Sequence, residues 1–300
     1  MKNIHIVSGG DTKYFHLLKE LLESMNKLKI DKEVKISILD GGLKKKEIDY
    51  FQSKKIEVVD PGWPSKVAKL RAGSKNYLKV ELAKVHLDRI LNGSEFIIWV
   101  DADAWFQTIE ALEIIKSVLK KKKLAIVSQS SRFIPNTMVV KKFYGSLFFN
   151  KNGPYKNAKR ANLSKDIIDG LVSSPTLNAG IFGLPRKAPH WKKLRLWQDK
   201  LLKTARTRIF TITQLSLAII SYYEKLPYEA IPERCNYMGP YRWSKKFKKF
   251  IEYYAPYEPI SIIHMVARDE MRINKFFKIS MLDENDNKIK KSLRYNAQQK

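Results

Sequence analysis

The chain has 300 residues, of which 44% are hydrophobic, with one cysteine and a formal net charge of +27. A chain of this size and apolar content can bury a full core, and a single cysteine excludes an intrachain disulfide or a cysteine-rich zinc site. Its apolar runs fall short of the ~18 residues of a membrane span, and the N-terminus lacks the pattern of a secretory signal. We therefore expect a soluble, cytoplasmic protein. The charge favours an anionic partner only weakly, because the lysines are spread along the whole chain.

The first part of the chain alternates between short apolar strands and amphipathic helices. Periodicity predicts strands at 3–8, 34–39, 56–59 and 96–100, and helices at 13–28, 44–52 and 74–91. We expect Ser74 to cap the third of these helices and the basic stretch 63–73 to be irregular. Strands that alternate with helices predict an α/β fold, in which a mainly parallel, Rossmann-like sheet is flanked by helices.

The stretch Phe96–Val100 is an apolar run of strand formers that ends at Asp101, Ala102 and Asp103. Such a run is typical of a strand buried on both faces. Two carboxylates directly after it are costly unless something pairs with them, and in an extended backbone alternate side chains point to the same side. A divalent cation that prefers hard oxygen ligands, Mg²⁺ or Mn²⁺, would offset their charge. The alternative is a solvated turn with two incidental aspartates.

The second half has a less regular pattern. The predicted helices are 110–119, 189–203 and 210–223, and the predicted strands are 124–127, 176–185, 227–231 and 261–264. The stretch 130–175 is rich in loop residues and carries the aromatic residues Phe143, Tyr144, Phe148 and Phe149. It fits either an acceptor-binding lid or a pair of helices.

Two basic segments follow. The segment 241–254 interleaves aromatic residues with lysines, and as a helix it would either pack on the core or lie on an anionic membrane. The tail 285–300 is polar and basic, and we expect it to be frayed.

Four pieces occur in one order along the chain: NIHIVSGGDTKYF at the start, VDAD after the apolar strand, LNAG, and a late IIH. This ordered set resembles the nucleotide-diphospho-sugar glycosyltransferases of the GT-A fold, family 8 in particular (the glycogenin and lipopolysaccharide galactosyltransferase type). The resemblance implies one GT-A domain over 1–284, with a nucleotide-binding half at 1–128 and a sugar and acceptor half at 129–284.

The resemblance also implies roles for individual residues. Asp101, Asp103 and His264 would share one Mn²⁺ (or Mg²⁺) that bridges the donor's diphosphate. Ser8, Asp11 and Asp40 match the regions that hold the base and ribose, while Lys79 and Arg268 are candidates for the phosphates. Around the donor sugar the candidates are Ala102, Asn178, Ala179 and Gly180, with Gln214 near the anomeric carbon.

The chain departs from the family pattern at three positions. The family's Asp-Gln pair is Thr213-Gln214, so one carboxylate that touches the sugar is missing. After His264, Ala267 replaces a glycine and Glu270 replaces a lysine. Arg268 or Arg272 would then serve the diphosphate, as a charge-assisted donor.

The reaction that the resemblance implies is transfer of a hexose from a nucleoside-diphosphate sugar, UDP above all, to a glycan or lipid-linked saccharide, with retention at the anomeric carbon. A lipid-linked acceptor would suit a protein held at the inner face of a membrane through 241–254. Two alternatives stay open: a sugar-nucleotide nucleotidyltransferase, which also pairs a Gly-rich turn with a metal-binding aspartate, and a non-catalytic polyanion-binding protein. No zinc knuckle or RNA-binding aromatic motif is present, so we expect no specific nucleic acid partner.

Overall fold

The computed structural model describes residues 3–129, 140–143, 146–150 and 152–298, and it describes no side chains between 130 and 151. The strands are Ile4–Gly10 (β1), Lys35–Asp40 (β2), Glu57–Val59 (β3), Phe96–Val100 (β4), Ala104–Phe106 (β5), Leu124–Ser128 (β6), Val140–Phe143 (β7), Ser146–Asn150 (β8), Leu177–Pro185 (β9), Tyr228–Ile231 (β10), Arg242–Ser244 (β11), Lys249–Ile251 (β12), Ile262–His264 (β13), Ile279–Asp283 (β14) and Lys288–Lys291 (β15). The helices are Phe15–Lys27 (α1), Ile30–Glu33 (α2), Lys45–Ser53 (α3), Lys66–Ala72 (α4), Leu78–Ala83 (α5), Leu87–Ile90 (α6), Glu110–Lys120 (α7), Gly153–Arg160 (α8), Lys165–Gly170 (α9), His190–Lys203 (α10), Ile212–Ala218 (α11) and Asp269–Ile273 (α12).

A seven-stranded sheet forms the centre of the molecule, in the order β10-β6-β9-β4-β1-β2-β3. Its strands pair in parallel except β9, which is antiparallel to both β4 and β6. Because the crossovers between parallel strands are helical, both faces of the sheet are covered. The prediction of a mainly parallel α/β sheet flanked by helices is confirmed.

The central strand β4 shows why its sequence is apolar throughout. Ile97 and Trp99 join the core on one face, with residues of α5, α10 and α11. Phe96, Ile98 and Val100 join the core on the other face, with residues of α1 and α7. Successive side chains of a strand point to opposite faces, so a strand covered on both sides needs apolar residues at every position.

Two smaller sheets attach the C-terminal part of the chain to this centre. β5, just after the Asp101–Asp103 turn, pairs antiparallel with β13, and His264 lies opposite Ala104 in that pairing. A four-stranded sheet in the order β12-β11-β14-β15 packs beside it. The late strand predicted at 261–264 is thus fixed next to the turn after β4.

The prediction of a helix over 241–254 is wrong. This segment is a hairpin of β11 and β12, in which Trp243 lies opposite Phe250 and the two rings contact edge to face. Phe250 is fully buried, and Lys245, Lys246 and Lys248 lie in the exposed turn. Cross-strand aromatic packing, which depends on a neighbouring strand, overrides the helix-like spacing.

The N-terminal half also differs from expectation in places. The stretch 63–73 is not irregular: it contains α4, whose N-cap Ser65 accepts a hydrogen bond from the backbone N–H of Ala68. The helix predicted over 74–91 is broken into α5 and α6, and Ser74 does not cap either one. The break was hidden because the apolar residues of both short helices face the same core.

The tail predicted to fray is folded through residue 298. β15 pairs with β14, Leu293 is fully buried, and the Arg294 guanidinium is buried against the Glu20 carboxylate. In the stretch 130–175, α8 and α9 agree with the helix-pair alternative. The aromatic cluster Phe143, Tyr144, Phe148 and Phe149, and with it the lid hypothesis, lies outside the described side chains. Among the described residues, no helix has the length and apolar character needed to cross a membrane.

Candidate metal and donor site

Three side chains from distant parts of the sequence meet at the end of β4. The His264 Nε2 atom lies 3.2 Å from Asp103 Oδ1 and 3.8 Å from Asp101 Oδ2. One ligand atom from each of the three residues lies within 4.8 Å of the others. Pairing of β5 with β13 produces this approach, because it sets His264 opposite the residue that follows Asp103.

Asp101 is held by one of its two carboxylate oxygens. Oδ1 accepts hydrogen bonds from Trp99 Nε1 at 2.7 Å and from Lys84 Nζ at 2.9 Å. The other oxygen, Oδ2, faces His264. These two donors fix the orientation of the carboxylate and leave Oδ2 as the oxygen available to a cation.

His264 is oriented by Asn236. The imidazole Nδ1 lies 2.7 Å from the Asn236 Oδ1 acceptor, so Nδ1 carries the proton. The other ring nitrogen, Nε2, faces the two carboxylates and can bind a cation once it carries no proton. Two carboxylates and an imidazole nitrogen form a donor set that suits Mn²⁺, and the chain's own hydrogen bonds orient that set.

Asp103 carries a full negative charge. It is buried, and its Oδ2 accepts hydrogen bonds from Arg272, with Nη2 at 2.6 Å. Burial alone would raise the pKa of Asp103, but His264 and Arg272 hold that pKa well below its usual value. A buried carboxylate that stays ionised is the form that binds a cation.

The three residues form the floor of a cleft of about 630 Å³. Ten of the residues predicted from the sequence line this cleft: Asp11, Ala102, Asn178, Ala179, Gly180, Gln214 and Arg272 together with Asp101, Asp103 and His264. Gln214 lies in the first turn of α11, as expected, and its Nε2 donates to the Leu177 carbonyl at 3.0 Å.

Gly180 shows why a small residue is needed in the LNAG segment. A Cβ built at this position would overlap the His264 imidazole and lie 2.9 Å from Asp101 Oδ2. The backbone carbonyl of Gly180 also accepts a hydrogen bond from the Asp101 N–H at 2.8 Å. Glycine therefore lets β9 approach the carboxylates closely.

Four predicted residues are not among the described residues that line the cleft. Ser8 is buried within β1, and Asp40 accepts hydrogen bonds from the backbone N–H groups of Gly42 and Leu43. Lys79 Nζ binds Asp60 Oδ1 at 2.8 Å, and Arg268 stands just before α12. Their proposed contacts with the nucleotide stay predictions.

Glu81 and Lys84 lie at the cleft although the sequence did not predict them there. Lys84 is buried, and its Nζ lies 2.7 Å from Glu81 Oε2 as well as 2.9 Å from Asp101 Oδ1. Burial opposes the charge of Lys84, yet Asp101 and Glu81 raise its pKa above the usual value. The available signal was an opposite-charge pair three residues apart within an apolar helix, where a buried lysine needs a carboxylate.

This chain resembles known proteins in structure, but its sequence matches none of them closely. No protein-family model matches the sequence, and no curated protein matches it. An active-site mutant of LgtC superposes with a TM-score of 0.52 at 13% identity, over 88% of this chain and 87% of that chain. The galactosyltransferase LgtC in complex with donor and acceptor sugar analogs gives 0.51 at 14% identity, with the same coverage.

A larger protein shares the same architecture. The apo structure of the bifunctional glycosyltransferase WbbM superposes with a TM-score of 0.54 at 12% identity, over 89% of this chain and 46% of that one. This chain therefore corresponds to less than half of WbbM. With the sheet order and the cluster at the end of β4, these matches show that the chain has the GT-A fold and resembles LgtC-type glycosyltransferases in structure.

Proposed function

We propose that this protein is a metal-dependent glycosyltransferase that moves a hexose from a nucleoside-diphosphate sugar to a saccharide acceptor. The observation that carries the proposal is the cluster of Asp101, Asp103 and His264 on the floor of a cleft in a GT-A fold. Ligands of open α/β sheets bind outside the carboxyl ends of the strands, and β4 ends at this cluster.

The residues that line the cleft would have three roles. Asp101, Asp103 and His264 would hold a divalent cation, which acts when bound as a Lewis acid that neutralises charge on the departing diphosphate. Arg272 and Lys13 line the same cleft and carry positive charge suited to phosphate oxygens. The β1 end contributes Gly9, Gly10 and Asp11, which suit close approach of a nucleotide to the backbone.

The chemistry relies on positioning and electrostatic stabilisation. Gln214 carries a neutral amide, so it can bind and orient sugar or acceptor hydroxyls but cannot act as a strong base. Retention at the anomeric carbon, UDP as the nucleotide, and a glycan or lipid-linked saccharide as acceptor follow from the sequence resemblance. The presence of donor and acceptor sugar analogs in a structure of LgtC supports the assignment of a sugar donor and acceptor.

The test is calorimetric titration of UDP and GDP with and without Mn²⁺. We expect the wild type to bind UDP at least about tenfold more tightly with Mn²⁺, and Asp103→Ala to lose this enhancement, because removal of a metal ligand costs a large part of the affinity. Asp269→Ala is the matched control, since Asp269 also binds Arg272, at 2.6 Å, but is exposed. Its titration should match the wild type.

Absence of UDP and GDP binding under both conditions would overturn the proposal. Where binding occurs, incubation with UDP-sugars separates the reaction classes. A glycosyltransferase releases UDP and free sugar by slow donor hydrolysis. A nucleotidyltransferase given a nucleoside triphosphate and a sugar phosphate releases pyrophosphate instead.

A further inference from the structure

Glu81 places a carboxylate in the wall of the cleft, and none of the roles proposed above involves it. It belongs to α5, its side chain is 11% exposed, and it lines the cleft together with Gln214. Its Oε2 atom lies 2.7 Å from Lys84 Nζ. Lys84 also binds Asp101, so one ammonium group connects Glu81 to the metal cluster.

Stability alone does not account for a charged pair at this position. A buried ion pair is often no more stabilising than apolar residues of similar volume, because both charges lose their hydration. Burial raises the pKa of Glu81, while Lys84 opposes that rise. The carboxylate of an ionised glutamate has about four acceptor positions, so the Lys84 ammonium and the Thr213 hydroxyl still leave it with capacity for further donors.

The surroundings of Glu81 indicate what would use that capacity. Thr213, the residue that stands in place of the family's sugar-contacting aspartate, is fully buried and donates its hydroxyl to the Glu81 carbonyl at 3.1 Å. The next residue, Gln214, lines the cleft. The Thr213 hydroxyl also acts as a hydrogen-bond donor that lowers the pKa of the Glu81 carboxyl, so a carboxylate from α5 lies near the position where the Asp-Gln pair would have carried one on α11.

We propose that Glu81 binds hydroxyl groups of the donor sugar and, positioned by Lys84, determines which hexose the protein accepts. This inference rests on the proposed glycosyltransferase function. Hydroxyls are donors that a carboxylate accepts well, and a bond to a charged group discriminates more strongly than a neutral one. A site built to accept a sugar hydroxyl also rejects an analogue that lacks it, because the buried carboxylate is then left unpaired.

The experiment compares UDP with a panel of UDP-hexoses and their deoxy analogues, in Mn²⁺, on the wild type and Glu81→Gln. We expect UDP affinity to stay within about twofold, while the affinity gained from the sugar falls about tenfold or more, as for loss of a charge-assisted hydrogen bond. For the deoxy-sugar that lacks the contacted hydroxyl, wild type and variant should bind equally. Glu224→Gln is the control, since Glu224 also pairs with a lysine, Lys193, but outside the cleft.

A second variant covers the case in which Glu81→Gln does not fold. Glu81→Asp keeps the charge for Lys84 but shortens the side chain, so it should bind UDP normally and still lose sugar affinity. Equal loss of UDP and UDP-sugar affinity in a folded variant would overturn the proposal, because Glu81 would then act only by supporting Lys84 and Asp101. Unchanged sugar preference, or loss of donor hydrolysis without loss of sugar affinity, would overturn it as well. If the wild type binds neither UDP nor UDP-hexoses, the proposed function fails and this assignment fails with it, whereas the outcomes above overturn the assignment alone.

Discussion

At the scale of single residues, Asn236 determines which nitrogen of His264 faces the two carboxylates. Its Oδ1 accepts the Nδ1 proton at 2.7 Å, and both residues are buried. Residues that orient a metal-binding histidine in this way contribute strongly to metal affinity. Asn236 had no sequence signal of its own, because a lone asparagine in a loop is common, and only the three-dimensional contact reveals its role.

Loss of this contact has a measurable consequence. We expect Asn236→Ala to weaken Mn²⁺ binding about 10- to 100-fold in calorimetry with UDP present, as for other residues that support metal ligands. Asn236→Asp keeps an acceptor oxygen and should restore most of the affinity. Asn26→Ala, at an exposed asparagine paired with Asp31, should bind Mn²⁺ like the wild type. Equal Mn²⁺ affinity in Asn236→Ala and the wild type would contradict the assigned tautomer.

At the scale of elements, the C-terminal segment supports the cleft from behind. Arg294 follows β15, and its guanidinium binds Glu20 on α1 and donates at 3.1 Å to the backbone carbonyls of Met271 and Arg272. The segment thus connects α1 to α12, which carries Arg272 toward Asp103. A polar, lysine-rich composition predicts fraying, but the long-range ion pair and the buried Leu293 hold the segment in place.

Arg294→Ala tests the contribution of this element to stability. The Glu20 side chain is 3% exposed, so it would be left as an unpaired buried charge. We expect the free energy of unfolding in urea to fall by about 3–5 kcal/mol. Arg234→Ala is the matched control, because its partner Glu110 is 37% exposed, and that ion pair should contribute at most about 1 kcal/mol. Similar losses in the two variants would show that burial of the Arg294 pair does not matter.

At the scale of the whole molecule, the central sheet contains a histidine that makes stability depend on pH. His5 in β1 is fully buried, and its Nε2 lies 2.8 Å from Ser37 Oγ in β2. Because the Ser37 hydroxyl donates to Glu57 Oε2, Nε2 is the donor to Ser37, while no hydrogen-bond partner for Nδ1 lies in the described part of the chain. Burial, with a smaller effect of the nearby Lys35, lowers the pKa of His5 from 6.5 to about 4. The unfolded chain therefore binds a second proton on the His5 ring more readily than the folded chain does.

The sign of the effect follows from this difference. The contribution of neutral His5 to the free energy of unfolding is fully present above 6.5, the pKa of His5 in the unfolded chain. It is lost as the pH falls from 6.5 toward 4. Between about pH 7.5 and about pH 5 the wild type should lose about 2 kcal/mol of unfolding free energy through His5. His5→Asn has no titratable group at this position, so its free energy of unfolding should fall by about 2 kcal/mol less than that of the wild type over this pH range. Urea midpoints measured at the two pH values give the comparison. Parallel losses in wild type and variant would contradict the lowered pKa.

Some elements could be predicted because their signal lies within a few neighbouring residues. The apolar run of β4, the Asp101–Asp103 turn and the helix α7 follow from periodicity and charge, because burial on both faces or on one stripe leaves a repeat in the chain itself. The order of strands and helices likewise predicted the parallel sheet. The hairpin of β11 and β12 was misread, because spaced aromatic residues fit a helix as well as a cross-strand pair.

The approach of distant residues could not be predicted in this way. The pairing of β5 with β13 places His264 beside Asp103, and the break between α5 and α6 leaves Lys84 between Glu81 and Asp101. Neither approach leaves a periodic mark, since each depends on strand register and on packing between segments far apart in sequence. Local patterns in the chain therefore specify the fold class and the two candidate metal-binding carboxylates, whereas long-range packing specifies how His264 approaches them and how the charged wall of the cleft is built.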